Sequence, residues 1–304
     1  MNPRRPPSRL VVLDRALELL PLFRLSDSAT DEGALQYAPS PGARWRVLAA
    51  PGDRLPGTFD QDVYVGLLHR WGECGRPADG TITFRLHAFL RALGRKADGR
   101  TYEQLRAALA RLERTTLEST AAYRSAERLP AAAGRRAEPR ESGPAEAPGP
   151  TDARFSVLAS VVIERRRQED PDQLALFPEL AAHDPGDARV TLAPPLRANL
   201  AAGYVARLSW ARYQQLGSPV ARRIYRLLAA HAPPPEEGSG ARATGGHWRA
   251  PLERWAEQLP LTQRYPSHLQ RVLQPAHDML QAAGAVRSAT LVQDGRQWMV
   301  EYVW

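Results

Sequence analysis

Apolar residues recur every three or four positions over several stretches of the chain, and this spacing predicts amphipathic helices. In the first half they predict a helix from Thr58, a short strand at 81–84, and two further helices at about 86–93 and 102–114. Ahead of them, the stretch from Leu10 to Phe23 is predicted to form one amphipathic helix within an N-terminal arm. Glycines in the segment between the last two helices predict a turn there.

After residue 114 the hydrophobic spacing changes to two, which is typical of β-strands. One strand is predicted from Thr115, Leu117, Ser119, Ala121 and Tyr123, and its partner from Phe155, Val157, Ala159, Val161 and Ile163. Between them, 14 of the 21 residues at 130–150 are Pro, Gly or Ala. Such a segment has little to bury, so we expect a hairpin with a disordered tip at 124–152.

The second half repeats this order of elements. Helices are predicted at 218–231, where Ser218 can cap the N-terminus, and at 252–259 and 265–283. Pro275 should kink the last helix, because a proline cannot donate a backbone hydrogen bond. Two alternating stretches around the turn Asp294-Gly295 then predict a closing hairpin.

Helix, strand, two helices and a hairpin form the order of a winged helix. The fold class expected is therefore α+β, mainly helical, with two tandem winged-helix domains carrying β-hairpin wings. We assign residues 1–45 to an N-terminal arm, 46–167 to the first domain, 168–188 to a linker and 189–304 to the second domain.

The formal net charge of +8 and the pI of about 10.1 favour a polyanionic partner, with double-stranded DNA considered first. No acidic residue occurs between Asp187 and Glu236, while seven arginines do, which predicts a basic stripe. Arginines that merely solvate helix faces remain the alternative. No apolar run is long enough for a membrane span, and we expect a cytoplasmic protein.

Enzymatic patterns are missing from the sequence. The single lysine, Lys96, does not stand in a phosphate-binding loop, and the seven histidines include no His-hydrophobe-His metal pair. Cys74 is the only cysteine, which excludes an internal disulfide and a thiolate zinc cluster. We therefore expect no catalytic residue, no metal and no cofactor.

The last helix of the second domain is the first candidate for reading DNA. Its apolar stripe leaves a polar side, and the following hairpin adds two arginines that would sit over phosphates. The candidates are Ser267, His268, Gln270, Arg271, Gln274, Arg287 and Arg296, together with Arg222 and Arg223 from the basic stripe. His277 falls on the same predicted polar side. An ordinary polar helix surface would explain the same residues.

The equivalent helix of the first domain offers a weaker set, because Glu103 and Glu113 dilute its positive charge. Free backbone amides at its start would favour a phosphate. The candidates are Arg100, Thr101, Gln104, Arg106 and Arg111. The first domain could instead contact a partner subunit.

The acidic linker contains the pentapeptide QLALF. It closely resembles the peptide by which bacterial replication proteins bind the sliding clamp, with Gln173, Leu174, Leu176 and Phe177 as the anchoring residues. An apolar linker folded against its own domain is the alternative.

Two longer segments resemble the plasmid replication initiators of the initiator protein A type. Residues 82–117 resemble their first winged-helix region, and residues 208–228 resemble the segment that opens their second domain. The resemblance implies a protein that binds repeated sites at a plasmid origin, opens the duplex, and recruits the host initiator and the replicative helicase. It also implies repression of its own promoter as a homodimer. A transcriptional repressor or partition adaptor of the same fold is the alternative.

Overall fold

A computed structural model describes residues 9–25, 34–127, 148–164, 186–232, 246–261 and 265–304. These residues contain nine helices: α1 (Arg15–Glu18), α2 (Thr58–Glu73), α3 (Leu86–Ala92), α4 (Gly99–Arg114), α5 (Pro194–Ala201), α6 (Trp210–Gln215), α7 (Pro219–His231), α8 (Leu252–Gln258) and α9 (Pro266–Ala282). They also contain twelve strands: β1 (Leu10–Asp14), β2 (Ala34–Tyr37), β3 (Arg44–Leu48), β4 (Thr81–Arg85), β5 (Thr116–Ser125), β6 (Gly149–Phe155), β7 (Leu158–Glu164), β8 (Asp187–Leu192), β9 (Val205–Ser209), β10 (His247–Pro251), β11 (Ser288–Asp294) and β12 (Gln297–Val303). The content is mixed α and β.

The helices predicted from residue 58 onward are confirmed, and local chemistry explains several of their ends. Asp98 and Ser218 cap α4 and α7, because each side chain accepts a hydrogen bond from a backbone amide of the first turn. Pro219 and Pro266 occupy first-turn positions, where the missing N–H has no helical partner to lose. The α9 helix continues through Pro275 as one element.

In the second half, three strands form a sheet in the order β10-β12-β11. The hairpin of β11 and β12 closes at Asp294 and Gly295, and this glycine adopts a positive φ of 60°. We call α7, β10, α8, α9, β11 and β12 the second unit. Its apolar centre contains Trp255, Val300 and Tyr302, all fully buried.

The first half repeats this topology, but with a different hairpin from the one predicted. Its equivalent sheet has the order β4-β8-β7, so the counterpart of the β11–β12 hairpin is the pair β7–β8. We call α2, β4, α3, α4, β7 and β8 the first unit. The expected start of the second domain, residue 189, therefore lies inside a strand that pairs with β4 and β7.

The single strand predicted at 155–163 is in fact two strands in two different sheets, so the expected pairing of residues 115–123 with all of it is wrong. β6 ends at Phe155 and pairs with β5, in a four-stranded sheet of order β2-β3-β5-β6. β7 begins at Leu158 and pairs with β8. Between them, the carbonyl of Val157 accepts a hydrogen bond from the amide of Ala193 at 3.1 Å. The alternating pattern continues across this break, which is why the sequence did not reveal it.

The predicted helix at 10–23 is also wrong for most of its length. Residues 10–14 form β1, which pairs antiparallel with β9, and only Arg15–Glu18 are helical. Val11, Val12 and Leu13 are all buried, which suits a strand enclosed on both faces better than one stripe of a surface helix. The N-terminal segment is thus hydrogen-bonded to residues far along the chain.

A network of buried polar side chains joins the two units. The carboxylate of Glu18, fully buried, accepts hydrogen bonds from Nε of Arg226 at 2.9 Å and from Nη1 of Arg223 at 3.5 Å. Nη1 of Arg226 also donates to the side-chain oxygen of Gln61 at 3.0 Å. We call Glu18, Gln61, Asp62, Arg222, Arg223 and Arg226 the inter-unit network. It connects α1 and α2 with α7.

A second buried carboxyl, that of Asp14, caps the N-terminus of α1. It accepts hydrogen bonds from the amide of Ala16 at 2.9 Å and from Nδ2 of Asn199 at 3.0 Å. It also accepts a hydrogen bond from the hydroxyl of Tyr123. Burial raises the pKa of Asp14 from 3.8 to about 7, against the opposing effect of these hydrogen bonds.

We expect this carboxyl to make stability fall with rising pH. The folded protein holds a proton that the unfolded chain releases, so the stabilisation is complete below about pH 4 and is lost as pH rises through about 7. Asp14→Asn keeps a capping oxygen but cannot titrate. The difference in unfolding free energy, wild type minus variant, should therefore decline between pH 4 and 7 in urea titrations. The exposed Asp294→Asn serves as the control, and an unchanging difference for Asp14→Asn would contradict the assignment.

Candidate nucleic-acid interface

The surface of α9 presents five of the fourteen residues predicted to bind DNA. Leu269, Leu273, Ala276 and Leu280 are buried on one side of this helix. On the other side Ser267, His268, Arg271 and Gln274 are exposed, and Gln270 is half-buried. The hydrophobic spacing thus places the polar candidates of α9 together on a solvent-facing surface.

The hairpin that follows α9 adds positive charge beside it. Arg287 and Arg296 are exposed, and neither forms an ion pair with a described carboxylate. The two acidic residues of this hairpin are neutralised by Arg249, which lies 2.8 Å from Asp294 and 2.7 Å from Glu301. The arginine at the turn therefore keeps its charge available to a ligand. We call Ser267, His268, Gln270, Arg271, Gln274, Arg287 and Arg296 the α9 surface.

Two residues near the α9 surface were not predicted from the sequence. Tyr265, directly before α9, is 71% exposed, and its ring lies edge-on to His268 with 5.8 Å between centroids. Asp278 is exposed on the same helix and accepts a hydrogen bond from Gln274 at 2.9 Å. This carboxylate makes the second half of α9 less attractive to phosphate, so the positive potential concentrates near the start of the helix.

His277 is buried rather than on the polar side of α9. Its Nε2 lies 2.8 Å from the hydroxyl of Tyr302, which belongs to β12. Burial lowers the pKa of His277 to about 4, because the charged imidazolium would lose its hydration there. This histidine joins α9 to the sheet and does not face a ligand.

In the first unit, α4 presents a smaller candidate surface. Arg100 and Gln104 are exposed, and Thr101 and Arg106 are half-buried. The phosphate site expected at the start of α4 is already occupied by the protein's own carboxylate. Asp98 accepts hydrogen bonds from the amide of Thr101 at 2.9 Å and from its hydroxyl at 2.8 Å, and these bonds lower the pKa of Asp98.

Three predicted DNA-binding arginines, Arg111, Arg222 and Arg223, face the protein interior. Arg111 is buried and forms two hydrogen bonds with Asp60, at 3.0 and 2.8 Å. Arg222 pairs with Asp62, and Arg223 is only 2% exposed and contacts Glu18. The structure therefore removes all three from the interface, because a guanidinium that neutralises a buried carboxylate cannot leave it without a large cost.

The basic stripe expected between residues 187 and 236 is corrected in part for the same reason. Three of its seven arginines, Arg222, Arg223 and Arg226, have their counter-charges in Glu18 and Asp62, within the first 62 residues of the chain. The sequence contained one signal for this arrangement: a stretch of arginines without nearby acids inside an apolar helix needs partners from elsewhere.

The predicted clamp-binding residues Gln173, Leu174, Leu176 and Phe177 lie outside the described residues. The segment that contains them joins β7 to β8, whose ends Glu164 and Asp187 are paired across the sheet. Among the residues that the structure describes, no cluster of three His, Cys, Asp or Glu side chains could hold a metal ion. No helix in these ranges has the length and apolar character needed to cross a membrane.

Comparison with solved structures identifies the class of fold. Selenomethionine derivatives of domains 2 and 3 of RctB align with a TM-score of 0.56 at 10% identity, covering 94% of this chain and 95% of that one. A second structure of RctB domains 2–3 aligns with a TM-score of 0.50 at 10% identity, covering 95% of each chain. The Pi initiator protein in complex with iteron DNA aligns with a TM-score of 0.46 at 10% identity, covering 98% of each chain. The chain therefore shares the fold of the RctB domains.

Sequence comparison finds a family model that matches part of the chain. Residues 14–133 match the family model of replication initiator protein A, which confirms the resemblance identified from the sequence. No curated protein matches the chain.

The burial of Arg111 leads to a test that separates structural from surface arginines on α4. Arg111→Gln leaves Asp60 buried without its counter-ion, so we expect it to lower the free energy of unfolding by about 3–5 kcal/mol. Arg100→Gln, at an exposed position of the same helix, should change it by less than about 0.5 kcal/mol. Urea denaturation measures both values. Equal effects of the two substitutions would show that the ion pair with Asp60 is not structural.

Proposed function

We propose that this protein is a plasmid replication initiator that binds repeated origin DNA through two winged-helix units and acts without catalysis. The α9 surface is the observation that carries the proposal. It combines an exposed polar helix face with two arginines on the adjoining hairpin that pair with no described carboxylate, at the end of a unit whose element order is the one expected of a winged helix. The match of residues 14–133 to replication initiator protein A supports the biological role.

Each part of the α9 surface has a chemical counterpart on duplex DNA. The N-terminal residues of a recognition helix meet base edges in the major groove, where arginine can bind guanine and glutamine can bind adenine with two hydrogen bonds. Arg287 and Arg296 on the hairpin suit the phosphates beside the groove. The first unit contributes Arg100 and Gln104 on α4, with the nearby Glu103 reducing its attraction for phosphate.

Origin opening and recruitment of host proteins complete the proposed role. The Pi initiator in the comparison was solved with iteron DNA, and we infer a similar repeated site as the target here. The pentapeptide at 173–177 would bind the sliding clamp through its Gln, Leu and Phe side chains, while contacts with the host initiator and helicase rest on the family resemblance.

The salt dependence of binding tests the electrostatic part of the proposal. With six to ten phosphate contacts, the logarithm of the binding constant for an origin fragment should fall against the logarithm of salt concentration with a slope of about −5 to −9. Gel shifts or fluorescence anisotropy on the DNA flanking the gene would give this slope. A slope near zero would contradict DNA binding altogether.

Substitutions in the α9 surface distinguish base reading from phosphate contact. Arg271→Ala should weaken binding to the origin site by about 1–3 kcal/mol and have a smaller effect on random DNA, if Arg271 reads a base. Arg296→Ala should weaken both about equally and reduce the magnitude of the salt slope by about 1.

Two controls accompany these measurements. Gln281→Ala removes an exposed side chain near the end of the same helix, and Arg44→Ala removes an exposed arginine on β3. Both should bind like the wild type. Equal losses of origin and random DNA binding for Arg271→Ala would reassign that arginine to a phosphate.

A protected promoter with one inverted repeat, in place of repeated origin sites, would favour a transcriptional repressor.

The clamp contact has a separate test. Leu176→Ala and Phe177→Ala should each lower affinity for the host sliding clamp in a pull-down or surface plasmon resonance experiment, because these apolar side chains anchor the peptide. Origin binding should be unchanged. Wild-type affinity for the clamp in both variants would exclude this contact and leave the DNA-binding role intact.

A further inference from the structure

One carboxylate of the inter-unit network, that of Asp62 on α2, touches three elements at once. It lies 2.8 Å from Nη2 of Arg95, in the turn between α3 and α4, and it also pairs with Arg222 of α7. The hydroxyl of Tyr213, on α6, donates to it at 3.2 Å. The Asp62 side chain is only 6% exposed, so these contacts replace its hydration.

Neighbouring hydrogen bonds hold the same junction. Nε2 of Gln214, on α6, donates to the carbonyl of Ala92 at the end of α3 at 2.6 Å. Nε2 of Gln61 donates to the carbonyl of Pro219, the first residue of α7, at 3.3 Å. The end of α3 and the turn after it are thus bound to the segment that opens the second unit. Because α4 starts directly after this turn, its position is fixed relative to α7.

The α9 helix packs against α7 within the second unit. A chain of contacts therefore runs from α4 through the α3–α4 turn, Asp62 and α7 to α9. The turn is joined to α4 by the chain itself, charged hydrogen bonds connect the turn and α7 through the Asp62 carboxylate, which serves both Arg95 and Arg222, and α7 contacts α9 directly. Separate units on a flexible connection would have no need of such a shared buried charge.

We propose that Asp62 is a positioning residue that fixes the candidate reading helices α4 and α9 at one separation, so that the protein accepts a DNA site with one spacing between its two halves. The inference rests on the proposed function and adds to it how the target site is selected. Rigid linkage makes binding of the second unit intramolecular when the spacing matches, and it prevents simultaneous contact when the spacing does not match.

The experiment varies the DNA spacing and the protein together. Footprinting of the wild type on origin DNA first defines the protected site, and fragments with 2 or 5 base pairs inserted at its centre are then compared with the parent. An insertion of 5 base pairs turns one half-site to roughly the opposite side of a helix with about 10.5 base pairs per turn. We expect the wild type to bind this fragment at least about tenfold more weakly than the parent.

Asp62→Asn keeps the shape of the side chain but leaves Arg95 and Arg222 facing each other without a counter-charge. We expect it to bind the parent site more weakly and to lose most of the difference between parent and insertion fragments. Arg95→Gln removes the ion pair that holds the α3–α4 turn to Asp62, and the Arg95 side chain is partly exposed. This variant keeps the test informative if thermal unfolding shows that Asp62→Asn does not fold. Arg95→Gln should also reduce the ratio of the affinity for the parent fragment to the affinity for the insertion fragment.

Arg100→Gln is the matched control, because it alters an exposed arginine of α4 outside the network. It should weaken binding to every fragment by a similar factor and leave the ratio of parent to insertion affinity unchanged. A wild type that tolerates the 5-base-pair insertion, or a folded Asp62→Asn or Arg95→Gln protein with the wild-type ratio, would overturn the inference. Absence of any specific protection by the wild type would instead refute the proposed function.

Discussion

Burial of the Glu18 carboxylate between Arg223 and Arg226 is the constraint that fixes α7 against α1, and Gln61 and Asp62 extend it to α2 of the first unit. A carboxylate without solvent carries a desolvation penalty of several kcal/mol, which only close opposite charges and hydrogen bonds offset. Here the opposite charges come from a helix more than two hundred residues away in sequence. Placing α7 anywhere else would leave three buried charges uncompensated.

The same constraint explains why the candidate DNA surface is smaller than the overall charge suggests. The formal net charge of +8 includes arginines that neutralise internal carboxylates, and Arg111, Arg222, Arg223 and Arg226 all belong to this group. The charge that remains available to a ligand lies on the exposed arginines, among them Arg271, Arg287 and Arg296. Some arginines of this basic protein therefore stabilise its internal contacts, and only the exposed ones are available to a ligand.

Repetition of one topology has a structural consequence for the first unit. Its hairpin, β7–β8, is reached only after the chain has formed β5 and β6 in a separate sheet with β2 and β3. Trp45, Tyr123 and Phe155 pack together in that additional sheet, and they join it to the hydrophobic core that the rest of the described residues share. The segment carrying the pentapeptide at 173–177 consequently connects the two strands of the hairpin, where the sequence suggested a linker between domains.

Local patterns were sufficient for the elements whose stability is local. The periodicity of Leu105, Leu109 and Leu112, the cap at Ser218 and the turn at Asp294-Gly295 each predicted an element that the structure confirms. The polar side of α9 was also predictable, because on an amphipathic helix burial of one stripe exposes the other. The family resemblance, carried by residues 82–117, was likewise available from the sequence.

Tertiary structure alone decided which strands pair and which charges are buried. The alternation from Phe155 to Ile163 fits one strand or two equally well, since a change of sheet at Val157 leaves the pattern intact. Likewise, an arginine on a helix has the same local pattern whether it faces solvent or a carboxylate from a distant segment. Strand pairing and ion pairing depend on residues brought together by the fold, and separation along the chain gives no measure of that proximity.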